Sequence, residues 1–358
     1  MGEVDFGFLA VPAGAPGVPD ADLYAGLLDG CAFHRALGYR TAWLIEHHFS
    51  AYYPCPSPVV SMAHIAAAYP DLALGTCVLV APWHDPLRLA GELAMLTNMT
   101  EQKLYIGLGR GTAKYEYDAF GVDMTEARER FRETWEVLDR ALTGEPFTYA
   151  GAHLNVDLPV RIRPTPVRER IDFFGAIGSA SSTAVMAELG LAPMCTSFGV
   201  QTVELLPAWE RRAAEVGTLH DVSSLRPLLV NTVIADTDAE AIAEAQIYMT
   251  RYMQAQIDHY DAFGVDMSNV KGYEGWAATF ERWKVLTDPG SIIPWTEGQL
   301  VGSPDTVAHR VQQFVDAGFN HIIPQTVTPG TPREVQQRWS ERFAREVAPR
   351  FSSAFSTA

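Results

Sequence analysis

The stretch TAWLIEHHF, residues 41–49, decides the fold class, because a short apolar run ends abruptly in a carboxylate and two imidazoles. An apolar run of this length is typical of a strand in a parallel sheet that is covered on both faces. The same pattern returns in LYIGLGRGT, residues 104–112, where the run ends in glycines and an arginine. Both stretches predict strands whose carboxyl ends carry functional side chains.

About eight such runs alternate with longer amphipathic segments, which is the order of βα units around a parallel sheet. The predicted strands are Val4–Leu9, Thr41–Ile45, Asp71–Leu79, Leu104–Leu108, Ile171–Phe174, Pro193–Thr196, Arg226–Val233 and His321–Ile323. An open doubly wound sheet should carry a G-x-G-x-x-G turn, and the turn that begins at Gly107 breaks that spacing. We therefore expect an α/β fold, a (β/α)8 TIM barrel with insertions at its C-terminal face, in which residues 1–358 form a single domain.

Two segments depart from the alternating pattern. Gly144 to Arg170 is rich in proline and aromatic residues and predicts a loop or hairpin that crosses the barrel top. Gly264 to Gly302 holds several tryptophans and is too long for a plain connector, since long structureless loops are usually functional or disordered. We expect residues 264–302 to be a lid or a substrate-pocket insertion.

Charge and composition exclude several classes of partner. The formal net charge is -16 and the isoelectric point is about 5.0, which disfavours nucleic acid and anionic membrane surfaces. The chain shows no secretory leader pattern and no run of roughly 18 apolar residues, so a cytoplasmic protein is expected. The four cysteines are scattered and HExxH spacing is missing, so neither a disulfide framework nor a metal site is expected.

Glu46, His47 and His48 form the first candidate cluster, at the end of the second predicted strand. A carboxylate and two imidazoles can act as a base, as hydrogen-bond donors or as metal ligands. Successive residues of a strand point to opposite faces, so at most two of the three can face one pocket. The alternative is that they cap the strand and satisfy buried backbone groups.

A second set of residues is suited to a phosphate group. Arg110 follows the fourth strand in a glycine-rich turn, and Arg128 begins a long amphipathic helix. The stretch from Gly175 to Thr183 follows the fifth strand and opens a helix with small and hydroxyl residues, where free backbone N–H groups favour an anion. A tight turn, a solvated helix-face arginine and an ordinary helix cap are the respective alternatives.

Taken in order, these motifs resemble the bacterial-luciferase-like, FMN-using monooxygenase family. The resemblance runs through residues 42–49, 85–96, 104–112, 117–124, 178–183, 235–241, 301–304 and 342–349. Each piece is common by itself, and their collinear order over nearly the whole chain makes the resemblance specific.

The resemblance implies a role for each candidate residue. The FMN 5′-phosphate would be held by Arg110, Arg128, Gly178, Ser179 and Ser182. His47 matches the active-site histidine of the family, a general base or a stabiliser of the oxygen adduct, with Glu46 and His48 as its supporting neighbours. The non-prolyl cis peptide bond under the isoalloxazine ring would lie at Cys77–Val78.

The implied reaction is insertion of one oxygen atom from O2 into a small organic substrate through a flavin peroxide. Reduced FMN would be a cosubstrate that a separate flavin reductase supplies at the expense of NAD(P)H, and the chain would form a homodimer. Gly109 and Gly178 replace a cysteine and a glutamate of light-emitting members, so efficient light emission is not expected. A deazaflavin- or NAD(P)H-dependent dehydrogenase or reductase on the same barrel is one alternative. An inactive flavin-binding partner subunit is the other.

Overall fold

The computed structural model describes residues 3–13, 17–197, 199–220, 222–261, 264 and 266–355. Over these residues the strands are β1 Asp5–Leu9, β2 Thr41–Leu44, β3 Ala73–Val80, β4 Leu104–Gly109, β5 Phe147–Ala150, β6 Asn155–Val160, β7 Ile171–Ile177, β8 Ala192–Thr196, β9 Pro227–Ile234, β10 Leu300–Gly302 and β11 His321–Gln325. The α-helices are α1 Asp20–Ala36, α2 Pro58–Ala68, α3 Pro86–Met99, α4 Lys114–Phe120, α5 Ala127–Ala141, α6 Ala180–Glu188, α7 Leu205–Val216, α8 Asp238–Tyr260, α9 Glu274–Val285, α10 Ile293–Thr296, α11 Pro304–Asp316 and α12 Arg333–Arg342.

Eight parallel strands close into a barrel in the order β1, β2, β3, β4, β7, β8, β9 and β11, with β11 paired back onto β1. Each of these strands is followed by a helix, so the predicted (β/α)8 barrel is confirmed. The predicted strands coincide with the observed ones to within one to three residues at their ends. Apolar periodicity located them because parallel strands bury both faces.

The barrel interior is filled by side chains rather than by a channel. The indole of Trp43 lies across it, and its Nε1 donates a hydrogen bond to Nε2 of His321 at 2.9 Å. The space for this ring exists because Gly7 and Gly75 carry no side chain. A Cβ atom at Gly75 would lie 2.4 Å from the indole, and one at Gly7 would lie 2.5 Å from it. These two glycines are therefore packing requirements of the core.

The segment Gly144 to Arg170 contains the antiparallel hairpin β5–β6. The sequence predicted either a loop or a hairpin here, and the structure shows the hairpin. Its predicted place across the barrel top is wrong, because it joins the C-terminal end of α5 to the start of β7, at the opposite face. The hairpin lies along the outer side of α5. The carboxylate of Glu133 on α5 accepts, at 2.8 to 2.9 Å, the backbone N–H groups of the hairpin turn, Ala152, His153 and Leu154.

The segment 264–302 is largely helical in its described part. It contains the short helix Met267–Asn269, then α9, α10 and β10. β10 is an extra strand that pairs with the C-terminal half of β9, outside the closed barrel, and α9 packs against α8. The segment therefore stands on the C-terminal side of the barrel, where β9 leads into α8.

A helix that spans a membrane must be both long and apolar. In the described part of the chain, no helix combines the length and the apolar character that spanning a bilayer requires.

Candidate active site

A cavity of about 590 Å³ opens at the C-terminal end of the barrel, a volume within the usual range for small-molecule and cofactor sites. The polypeptide that follows strands β2, β3, β4, β7 and β8 lines one side of it, as expected for a barrel of this type. Lining residues from these connections include Glu46, His47, Trp83, Arg110, Thr112, Gly178, Ser179 and Gln201. Because the carboxyl ends of the parallel strands meet at one end of the barrel, these connections bring the predicted site residues among them together at one rim of the cavity.

Two guanidinium groups converge at the edge of the cavity. Nη1 of Arg110 donates to the carbonyl of Gly272 at 3.3 Å, and its guanidinium lies over the ring of Tyr273, 4.7 Å from the centroid. Nη2 of Arg128 donates to Oγ of Ser181 at 2.9 Å. A Cβ atom at Gly272 would lie within 3.3 Å of Arg110 and 3.8 Å of Arg128, so both cations approach the same point. Over the described residues, neither of them forms an ion pair with a carboxylate.

The N-terminus of α6 faces these two arginines. Ser179 is the cap residue, and its hydroxyl accepts the N–H of Ser182 at 3.2 Å. The hydroxyl of Ser182 in turn accepts the N–H groups of Gly178 and Ser179, each at 3.0 Å. Ser182 therefore holds the shape of the helix start, while the hydroxyl that reaches Arg128 belongs to Ser181. Sequence reasoning did not single out Ser181.

Glu46 is almost fully buried and holds the end of β3 in place. Its carboxylate accepts hydrogen bonds from the backbone N–H of Val80 at 2.7 Å and from the imidazoles of His48 and His84, each at 2.9 Å. Burial acts to raise the pKa of Glu46, but the charge of His84 and these hydrogen bonds outweigh it, so the pKa lies below its usual value. Sequence reasoning missed His84, which follows Trp83 in the connection between β3 and α3.

The two histidines next to Glu46 point to different places. His47 lines the cavity, with its Nε2 3.5 Å from the hydroxyl of Tyr260. Burial, reinforced by the nearby charges of His259 and His48, lowers the pKa of His47 well below its usual value, so its imidazole is neutral. His48 does not line the cavity and packs beside Trp83 instead.

The peptide bond between Cys77 and Val78 is cis, and both residues line the cavity beneath its mouth. Val78 also explains the glycine in the neighbouring strand, because a Cβ atom at Gly109 would lie 2.4 Å from the Val78 side chain. The main chain of β4 therefore comes close to the floor of the cavity at a place where no larger residue fits.

A buried polar group that sequence reasoning did not single out adjoins His47. Glu116, from α4, accepts the backbone N–H of His48 at 2.7 Å, and burial raises the pKa of Glu116 to about 8. His259, near the end of α8, has its ring centroid 4.6 Å from that of His47. Neither residue lies in a recognisable linear motif with His47, and only the fold brings the three side chains together.

The segment 264–302 supplies the opposite wall. One face of α9 lines the cavity, through residues spaced by three and four positions, and α10 adds an indole. The lining residues of this segment are Gly272, Tyr273, Glu274, Gly275, Trp276, Thr279, Arg282, Trp283, Leu286 and Trp295. The arginines and the start of α9 thus form a polar, charged end of the cavity, whereas Trp276, Trp283 and Trp295 form an apolar, aromatic wall.

A closed (β/α)8 barrel with a cationic rim and a buried imidazole at its C-terminal face defines a cofactor-using enzyme class rather than a binding module. Residues 5–321 match the family model described as luciferase-like monooxygenase. The chain is therefore an enzyme of the luciferase-like monooxygenase family.

The chain is also similar to individual proteins. A 4-hydroxyprotoasukamycin monooxygenase of Streptomyces nodosus subsp. asukaensis is 27% identical over 335 residues, with 88% of this chain and 84% of that protein covered. An uncharacterised protein of Sinorhizobium fredii is 36% identical over 134 residues, and this alignment spans 36% of the chain and 38% of that protein.

Solved structures show the same fold. The monooxygenase RslO1 of Streptomyces bottropensis has a TM-score of 0.79 at 24% identity, covering 97% of this chain and 100% of that one. The oxygenating constituent of 3,6-diketocamphane monooxygenase from Pseudomonas putida, in complex with FMN, has a TM-score of 0.76 at 18% identity, covering 98% and 99%. A coenzyme F420-dependent tetrahydromethanopterin reductase of Methanopyrus kandleri has a TM-score of 0.71 at 18% identity, covering 98% and 100%.

Proposed function

We propose that this protein is an FMN-dependent monooxygenase that transfers one oxygen atom from O2 to a small organic substrate, with reduced FMN supplied by a separate flavin reductase that consumes NAD(P)H. The observation that carries the proposal is the pair of converging guanidiniums, Arg110 and Arg128, at the rim of the cavity that His47 enters; within the part of the chain that the structure describes, neither forms an ion pair with a carboxylate. Family membership supplies the reaction class.

The residues fit a flavin phosphate. In a chain of net charge -16, two cations converge here while they donate to a carbonyl and a hydroxyl, and the exposed carboxylate of Glu274 lies near enough to interact with both charges. The N-terminus of α6 adds its dipole, and the preferred occupant of such a place is a phosphate. Arg110, Arg128, Ser179 and Ser181 would hold it, and Ser182 keeps the helix start in shape by accepting the N–H groups of Gly178 and Ser179.

The remaining residues position and protect. When bound, reduced FMN would supply the two electrons with which O2 is split, one atom entering the substrate and the other leaving as water. Glu46, through Val80 and His84, holds the Cys77–Val78 floor on which the ring system would rest. His47, kept neutral by burial, can accept a proton from the reacting groups.

Exclusion of water is the role we assign to the segment 264–302. Trp276, Trp283 and Trp295 line the cavity on this side, so the segment serves as a lid and substrate wall. A dry site matters because water promotes loss of the activated oxygen as H2O2. The aromatic wall favours a substrate with an apolar, aromatic or polycyclic body.

The test combines flavin binding with oxygen accounting. Anaerobic mixing with reduced FMN, followed by oxygenated buffer, should give slower release of H2O2 than free reduced FMN does. His47→Ala should accelerate that release, and the exposed His64→Ala should leave it unchanged. ¹⁸O2 incorporation into members of an aromatic ketone and phenol panel would identify the substrate. Absence of FMN binding, or equal H2O2 release from wild type and His47→Ala, would contradict the proposal.

A second candidate is a deazaflavin-dependent dehydrogenase or reductase, which the similarity to an F420-dependent fold favours. In that case hydride transfer would replace oxygen chemistry. Substrate-dependent reduction of F420 without oxygen uptake would select this candidate over the monooxygenase.

A further inference from the structure

Three ligand-type side chains from distant segments meet beside the cavity. They are His47 after β2, Glu116 in α4 and His259 near the end of α8, and all three are buried. One nitrogen or oxygen atom of each lies within 4.8 Å of those of the other two. Nε2 of His259 lies 3.7 Å from Oε1 of Glu116.

One atom of this cluster lacks a hydrogen-bond partner among the described residues. Nδ1 of His259 lies 2.8 Å from the hydroxyl of Ser50 and 3.0 Å from that of Tyr115. Its Nε2 is inaccessible to solvent and has no hydrogen-bond partner over the described residues. Buried polar atoms are nearly always paired, so an unpaired one aimed at a carboxylate and a second imidazole points to a ligand.

The donor set selects a class of ligand. Two imidazoles and one carboxylate suit divalent transition metals, whereas Mg²⁺ and Ca²⁺ prefer sites made of oxygen atoms. The unpaired Nε2 of His259 faces the other two donor groups, as a metal-ligating nitrogen must. In a tetrahedral zinc site, metal–ligand bonds of about 2.1 Å place donor atoms about 3.4 Å apart. Glu116 and His259 are 3.7 Å apart and all three donor atoms lie within 4.8 Å of one another, so a bound ion would draw the side chains closer together.

The surroundings resemble those of metal sites in a second way. The hydroxyl groups of Ser50 and Tyr115 at Nδ1 fix the ring of His259, as the outer partners of metal-bound histidines usually do. His47 and Glu116 also line the cavity, which provides an entry path from solvent. Glu46 is not a competing ligand, because its carboxylate is already engaged by three donors.

We infer that His47, Glu116 and His259 form a binding site for one divalent transition-metal ion, with Zn²⁺ the best-matched species. Occupancy takes the lone pair of His47 away from the reacting groups, so the ion inhibits the flavin reaction. The inhibition rests on the function proposed above, whereas the binding does not. The absence of HExxH spacing hid the site from the sequence, because its ligands come from three separate segments.

Metal binding is tested directly, without flavin. Protein freed of metal with a chelator is titrated with Zn²⁺ by calorimetry and with Co²⁺ by absorbance. Wild type should bind one ion per chain at micromolar concentrations. His259→Gln and Glu116→Gln should each weaken binding by at least about 10- to 100-fold, the loss that even outer-shell substitutions cause. The exposed His309→Gln is the matched control and should bind as wild type does.

Two results would overturn the metal site. One is that the wild type binds neither Zn²⁺ nor Co²⁺ at micromolar concentrations, and the other is that the wild type and both variants bind the ion equally well. If either variant does not fold, the Co²⁺-loaded wild type decides, since shifted ring-proton resonances from two histidines support the site and their absence refutes it. FMN binding measured in the same metal-free preparations reports on the proposed function separately. Zn²⁺ binding with no effect on reduced-flavin oxidation would overturn the inhibition alone.

Discussion

The clearest consequence of the cationic rim is a phosphate-specific loss of flavin affinity in Arg128→Ala. Arg128 is half-buried, and its guanidinium donates a hydrogen bond to the hydroxyl of Ser181. Hydrogen bonds to charged groups contribute about 1.5–3 kcal/mol each, and about 1.4 kcal/mol corresponds to a tenfold change in Kd. We therefore expect the Kd for FMN to rise by about 10- to 100-fold.

The assay is a fluorescence titration of the wild type and Arg128→Ala with FMN and with riboflavin, which lacks the phosphate. Arg110→Ala should behave in the same way, and the exposed Arg211→Ala serves as a charge-matched control. The wild-type preference for FMN should also weaken as salt is raised, because exposed charges are screened. Unchanged FMN affinity in both variants, or an equal loss of affinity for riboflavin, would refute the phosphate assignment.

Three further predictions concern stability and packing. Gly109→Ala should lower the free energy of unfolding by about 1–3 kcal/mol and weaken FMN binding, because the new Cβ atom would collide with Val78. The control Gly91→Ala, at an open position in a helix, should stabilise the protein, and equal unfolding midpoints of the two variants in urea would contradict the prediction. Glu133→Gln removes the carboxylate charge to which three N–H groups of the hairpin turn donate. It should lower the free energy of unfolding by about 1–3 kcal/mol in the same assay, and an unchanged unfolding midpoint would contradict this. Burial lowers the pKa of His34 to about 4 in the folded protein, whereas the unfolded chain takes up this proton near pH 6.5. Thermal stability should therefore fall as the pH drops from about 6.5 towards 4, and a flat profile in that window would contradict a buried neutral imidazole.

Much of the architecture was predictable because its signals are local. Strands such as β2 and β4 are short apolar runs, and helix starts such as Ser179 and Thr237 carry side chains that cap the first turn. The gathering of Arg110 and the start of α6 at one rim also followed from sequence, because the carboxyl ends of parallel strands share one face of a barrel.

Other features depended on contacts between residues far apart in the chain. The hairpin β5–β6 was predicted, but its position beside α5 depends on Glu133, which no periodicity marks as a partner of the turn. The serine that reaches Arg128 is Ser181 rather than Ser182, because the latter's hydroxyl is consumed by the helix cap.

By itself, the sequence determined the order of strands and helices, the barrel they form and the residue types available at its rim, since these depend on apolar periodicity and capping within single segments. Tertiary structure alone decided that His47 enters the cavity while His48 turns away from it. It also decided that Glu116 and His259 lie against His47. The physical reason is that burial and side-chain proximity arise when separate helices pack on one barrel end, and no linear spacing encodes the distance between such residues.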